Sequence, residues 1–113
     1  MARQLFRLKV SDLPSQQEMQ RHPRYLYVIW EAGSDHYKLG IASHPTRRLS
    51  ALQSGNRRKL SIVAVYHGSS VDCAYFEKAA LRYFRAAPGS EWVHANSLDE
   101  IVSYLDSFCG DEK

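Results

Sequence analysis

A chain of 113 residues, 44% hydrophobic and with four Phe and two Trp among its bulky side chains, is long enough for one ordinary core and too short for two. Its net charge of +3 conceals an asymmetry: residues 1–60 hold 11 Lys and Arg against 4 Asp and Glu, net +7, whereas residues 61–113 hold 4 against 8, net −4. Such a split suits a polyanion meeting one face, and it suits an ordinary solvated surface equally well.

Cys73 and Cys109 stand far apart with no CxxC and no companion Cys/His spacing, which excludes a disulfide framework and a structural zinc module as sequence expectations and fits a reduced, cytoplasmic setting. MARQLFRLKV is broken by charge too early for a signal peptide, and no apolar run reaches spanning length, so no membrane partner is expected.

In chain order, residues 1–23 read as an N-terminal arm: a short mixed run, Leu5 to Val10, then the polar DLPSQQEMQRHP with one helical turn at most. Tyr25 to Trp30 is aromatic and β-branched and runs into Glu31-Ala-Gly-Ser-Asp, which predicts a strand and a hairpin turn, with His36 to Ile41 as the partner strand. Pro45 suits a helix start, with Ser43 or His44 as cap, Leu49 and Leu52 on one face, Arg47 and Arg48 on the other, and Gly55 as the stop. Leu60 to Tyr66 alternates around Ile62, Ala64 and Tyr66 and predicts a third strand. From Ser70, the spacing of Cys73, Phe76, Ala80 and Phe84 predicts a helix ending at Pro88-Gly89. Ser97 and Glu100 form a capping box ahead of the stripe Leu98, Ile101, Val102 and Leu105. The sum is a small α/β (α+β) domain, a three-stranded sheet covered by helices.

Tyr27 and Lys38 fall on the two strands of one predicted hairpin, and Arg48 lies on the helix that follows. A phenol, an amine and a guanidinium at one end of a sheet are what phosphoryl chemistry needs: groups that orient or deprotonate water and a fork of donors for phosphate oxygens. Glu77, among the apolar Phe76, Ala80 and Phe84, is either paired, capped or a ligand for a hard cation. Each residue also has a plain structural explanation. Tyr27 is a common strand residue, Lys38 an edge-strand charge, Arg48 a solvated helix residue and Glu77 a partner for Arg82. The five His show no HxH or HExxH spacing, and only His44, near Arg48, is retained as an accessory proton shuttle.

The run YLYVIW…YKLGIASHPTRRLSALQSGN, followed by FEKAALRYF and SEWV, resembles the GIY-YIG nuclease superfamily, most closely its short phage and bacterial branch whose second motif reads KIG. The resemblance implies a small three-stranded antiparallel sheet flanked by helices over residues 24–109, between the arm at 1–23 and a C-terminal tail at 110–113. It implies that Tyr27 is the tyrosine of the first motif, that Lys38-Leu39-Gly40 is the second motif, that Arg48 is the catalytic arginine and that Glu77 is the metal-binding glutamate. Glu91-Trp92 resembles a closing element that supports the site or is packing. Three positions depart from the pattern: Tyr25 replaces a glycine, Lys38 a tyrosine, and Ile41 a basic or polar helper. Tyr37 is expected to point to the face opposite Lys38.

These readings lead to the expectation of a metal-dependent DNA endonuclease, a hydrolase of phosphodiester bonds in double-stranded or branched DNA. Tyr27 and Lys38, the latter with a lowered pKa, would position and activate water. Arg48 would stabilise the developing charge on phosphorus, and Glu77, the sole carboxylate expected there, would hold one Mg²⁺ or Mn²⁺. Arg47, Arg57, Arg58 and Lys59 would bind backbone phosphates without reading sequence. The alternative is a catalytically weak or inactive nucleic-acid-binding module on the same fold.

Overall fold

The structure, a computed structural model, describes residues 3–13 and 25–109. Residues 14–23, most of the segment DLPSQQEMQRHP in which one helical turn is expected, and the tail at 110–113 lie outside the described residues. Five strands, β1 (Phe6–Leu8), β2 (Tyr25–Glu31), β3 (His36–Ala42), β4 (Leu60–His67) and β5 (Trp92–His94), form one sheet in the order β1-β4-β2-β3-β5. Every neighbouring pair is antiparallel. Among the described residues there are also three α-helices, α1 (Pro45–Ser54), α2 (Ser70–Tyr83) and α3 (Leu98–Asp106), and a short 3-10 turn at Val10–Asp12. The α+β class is as expected, but the sheet has five strands rather than three. Both additional strands are three residues long, too short to display an alternation that sequence could reveal.

β2 lies at the centre, paired with β3 on one side and β4 on the other. The β2–β3 turn contains Gly33 at φ 78°, a left-handed conformation that a Cβ disfavours, and the indole N–H of Trp30 donates to the Ser34 carbonyl at 2.8 Å. Strand alternation then sorts side chains between two layers. Leu26, Val28, Tyr37, Leu39, Ala64 and Tyr66 meet Cys73, Phe76 and Ala80 of α2 and Ile101, Val102 and Leu105 of α3 in the main core. Tyr27, Ile29 and Leu60 form a smaller cluster with Leu49 and Leu52 of α1, Ile62 and Trp92. Tyr37 and Lys38 thus face opposite sides, as alternation requires.

The alternation predicted along β4 is broken by a register shift. Val28 pairs with Ala64 but Ile29 pairs with Ile62, which leaves Val63 as the extra residue. A bulge of this kind reverses the side-chain phase beyond it, so Ile62 lies with the α1 cluster instead of sharing a face with Ala64 and Tyr66.

Helix ends also differ from expectation. Of the two residues expected to cap α1, His44 occupies the N-cap position ahead of Pro45 but makes no side-chain bond there. The box at α3 is shifted, since Glu100 accepts from the backbone N–H of Asn96 at 2.7 Å while Ser97 makes no cap bond. α2 stops at Tyr83, well before Pro88-Gly89. Ala86 N–H donates to the Leu81 carbonyl at 2.9 Å and Arg85 N–H to Arg82 at 3.1 Å, a Schellman ending with Arg85 in the left-handed position at φ 59°.

Candidate active site on the α1 face of the sheet

Tyr27 and Gly40 are cross-strand partners on β2 and β3, and the Tyr27 side chain, 1% exposed, lies across the glycine. A Cβ at Gly40 would fall 2.3 Å from the phenol oxygen and 2.5 Å from Cζ. The glycine is therefore required by the tyrosine above it, not by its own backbone angles. The Arg48 guanidinium, in the first turns of α1, lies close enough to the phenol to pull its pKa down, so the β3-to-α1 connection delivers the guanidinium to the tyrosine.

Lys38, two residues before Gly40 on the same face of β3, is 6% exposed. Its ammonium is ion-paired with Glu91, and the chain at Glu91 is fixed by a bond from Leu39 N–H to the Glu91 carbonyl at 3.0 Å. Glu77 comes from α2 and is 9% exposed. Its carboxylate makes no hydrogen bond or ion pair among the described residues, yet it lies within electrostatic reach of Glu91 and Lys38. Burial, and next the Glu91 charge, raise its pKa above the ordinary glutamate value, while Lys38 and Lys78 pull it back.

Tyr27 is held up in the same way. Burial dominates, and it outweighs the lowering effect of the Arg48 hydrogen bond and charge. At neutral pH the phenol stays protonated. It can accept from Arg48 and donate to a bound oxygen, so it is suited to positioning a group rather than to removing a proton from one.

The four residues singled out for catalysis, Tyr27, Lys38, Arg48 and Glu77, are thus brought together. The sequence reading missed the part played by Glu91: the cluster contains two carboxylates, not one. The pairing of Glu91 with Lys38 depends on the short strand β5, which has no readable periodicity. Ile41 packs toward the main core, so a side chain at that position would not reach the Lys38 face from the strand.

His44, Arg47 and Arg48 line one concavity of about 270 Å³ at the start of α1, with Ala42, Ser43 and Ala51. Arg57, Arg58 and Lys59 are exposed but lie beyond the other end of α1, where the Arg58 guanidinium touches the Ala32 carbonyl at 3.4 Å. The two basic groups are separated by the length of α1, about 15 Å at the α-helical rise.

Fold and site together define a small antiparallel α+β domain that gathers charged groups on one sheet face and flanks them with arginines. Residues 24–109 match the T5orf172 domain, and the chain belongs to that family, a nuclease-like domain associated with nuclease and DNA-binding functions. This match corrects the resemblance drawn from the motifs: T5orf172 is a different family from the GIY-YIG nucleases. The roles attached to Tyr27, Lys38, Arg48 and Glu77 by that resemblance therefore rest on their geometry alone. No curated protein and no solved structure matches the chain. Among the described residues, no helix is long and apolar enough to cross a membrane.

Proposed function

We propose that the chain is a metal-dependent endonuclease that hydrolyses phosphodiester bonds in DNA at the Tyr27, Lys38, Arg48 and Glu77 cluster. The observation that carries this reading is convergence: a phenol from β2, an amine from β3, a guanidinium from α1 and carboxylates from α2 and the approach to β5 meet at one place. A structural role alone gives no reason for a buried carboxylate that has no hydrogen-bond or ion-pair partner among the described residues and lies beside a second carboxylate.

Glu77 and Glu91 offer oxygen ligands, the donor set that suits a hard divalent ion such as Mg²⁺ or Mn²⁺. When bound, such an ion supplies positive charge toward the reacting phosphate and its leaving oxygen. Arg48 presents a planar fork to phosphate oxygens, and the Tyr27 phenol, kept neutral by burial, orients water or a phosphate oxygen. His44, beside Arg47 and Arg48 in the concavity, serves as an accessory proton carrier. The N-terminus of α1 with Arg47, and Arg57, Arg58 and Lys59 beyond its other end, give a basic track for backbone phosphates.

One observation favours a second reading. Lys38 is engaged by Glu91, so the amine assigned to water activation is already occupied, and a nucleic-acid-binding module with weak or no catalysis accounts for that pairing. Nicking of supercoiled plasmid with Mg²⁺ or Mn²⁺ decides between them. The endonuclease reading expects metal-dependent nicking that falls by roughly a hundredfold or more in Arg48→Ala, in line with loss of a transition-state donor, and that is lost in Glu77→Gln. A salt-sensitive gel shift without nicking under any metal condition selects the binding module.

A further inference from the structure

The turn entering β3 and the edge strand β5 bring together three side chains that no local spacing announces: Asp35, His36 and His94. His36 and His94 are direct cross-strand partners, with ring centroids 4.0 Å apart. Both rings present Nδ1 to the same carboxylate oxygen, Asp35 Oδ1, at 3.7 Å from His36 and 3.2 Å from His94. One ligand atom from each residue lies within 4.8 Å of the other two. The backbone holds the group in place: Ala95 N–H donates to the Asp35 carbonyl at 3.1 Å, and His36 N–H to Ser34 Oγ at 3.1 Å.

A surface imidazole–carboxylate pair accounts for His94 but not for His36. The His36 Nδ1 atom is shut off from water and has no hydrogen-bond partner among the described residues, a costly state for a polar atom with an acceptor only 3.7 Å away. An ion placed between the three atoms satisfies all of them at once. Two imidazoles and one carboxylate suit a borderline transition metal, whereas Mg²⁺ and Ca²⁺ favour sites built from oxygen.

We propose that Asp35, His36 and His94 bind one transition-metal ion of the Zn²⁺ class, with water completing its coordination. The ion ties β5 to the β2–β3 turn. Because Trp92 pairs with Lys38 within the same short ladder and Glu91 immediately precedes it, the clip steadies the strand that delivers Glu91. The site is separate from the carboxylates assigned to the hard ion and stands whether or not the protein cuts DNA.

The test is calorimetric titration of the full chain with ZnCl₂ in excess Mg²⁺, together with thermal unfolding. One saturable site and a rise in Tm with Zn²⁺ are expected. His94→Gln and Asp35→Asn alter exposed side chains and should each weaken Zn²⁺ binding by at least about tenfold. Their metal-free Tm should match that of the metal-free parent. A Co²⁺-loaded parent should lack the thiolate charge-transfer band that Cys73 or Cys109 would produce. No saturable Zn²⁺ binding by the parent, unchanged affinity in either variant, or a thiolate band would each overturn the proposal.

Discussion

The two faces of the sheet are built by different rules. The face covered by α2 and α3 buries Leu26, Val28, Leu39, Ala64 and Tyr66 against Phe76, Ile101 and Leu105, a mainly apolar layer with Glu77 at its margin and the Tyr66 hydroxyl bonded to Asp106. The face covered by α1 has a much smaller apolar cluster and devotes its remaining space to Tyr27, Lys38 and Arg48. One layer supplies cohesion, and the other tolerates polar groups because the first has already secured the fold. If so, substitutions on the two faces should fail differently.

The largest expected effect lies on the cohesive face. Ile101 is fully buried on α3, and Ile101→Ala should cost about 2–5 kcal/mol through lost transfer energy and the cavity left behind. Urea denaturation followed by circular dichroism measures it. DNA affinity per folded molecule should stay unchanged, and a large loss of affinity at full folding would break the division between the faces.

Gly40→Ala is next in size and belongs to the other face. The added methyl meets the Tyr27 phenol, and in a packed layer the ring must move, at a cost of about 1–3 kcal/mol. The displaced phenol moves away from the Arg48 guanidinium beside it. Nicking or, under the binding reading, phosphate-dependent affinity should therefore fall by more than the stability loss accounts for. Equal activity per folded molecule would show that the Tyr27–Arg48 contact is structural only.

What the sequence revealed follows the same division by scale. Long, periodic elements were legible: β2, β3, α1 and α3 lie where alternation, helical spacing, Pro45 and the Leu98–Leu105 stripe predicted them. The nearness of Tyr27, Lys38 and Arg48 was foreshadowed by the predicted hairpin and the helix after it, whereas Glu77 was tied to them by the motif resemblance. Features that depend on a single residue's backbone or on three-residue strands were not. The bulge at Val63 reversed the phase of Ile62, and β5 brought Glu91 to Lys38 and His94 to His36 across more than fifty positions. The end of α2 was hidden because an arginine, not a glycine, occupies the left-handed position that closes it. That last point yields a prediction of modest size and opposite sign: Arg85→Gly should stabilise the protein by about 1 kcal/mol, since the left-handed conformation costs a non-glycine residue about that much. A lower urea midpoint in the variant would mean that the Arg85 side chain contributes more than its backbone costs.

Glu77→Gln gives the smallest stability change at neutral pH and the sharpest view of the margin between the faces. Because burial and Glu91 raise the Glu77 pKa in the folded protein, folding favours the protonated carboxyl over the ionised one. Ionised Glu77 therefore lowers stability at neutral pH, and that penalty fades as pH falls through the raised folded value toward the ordinary glutamate value of the unfolded chain. Glutamine removes the penalty. The urea midpoint of Glu77→Gln should exceed that of the parent at pH 7, and the two should converge at acid pH, once the carboxyl is protonated in both states. A residue kept at a stability cost and lost together with metal-dependent nicking is retained for chemistry. A midpoint that instead falls at pH 7 would place Glu77 among the groups that hold the fold together, and would shift the search for the ion's ligands toward Glu91.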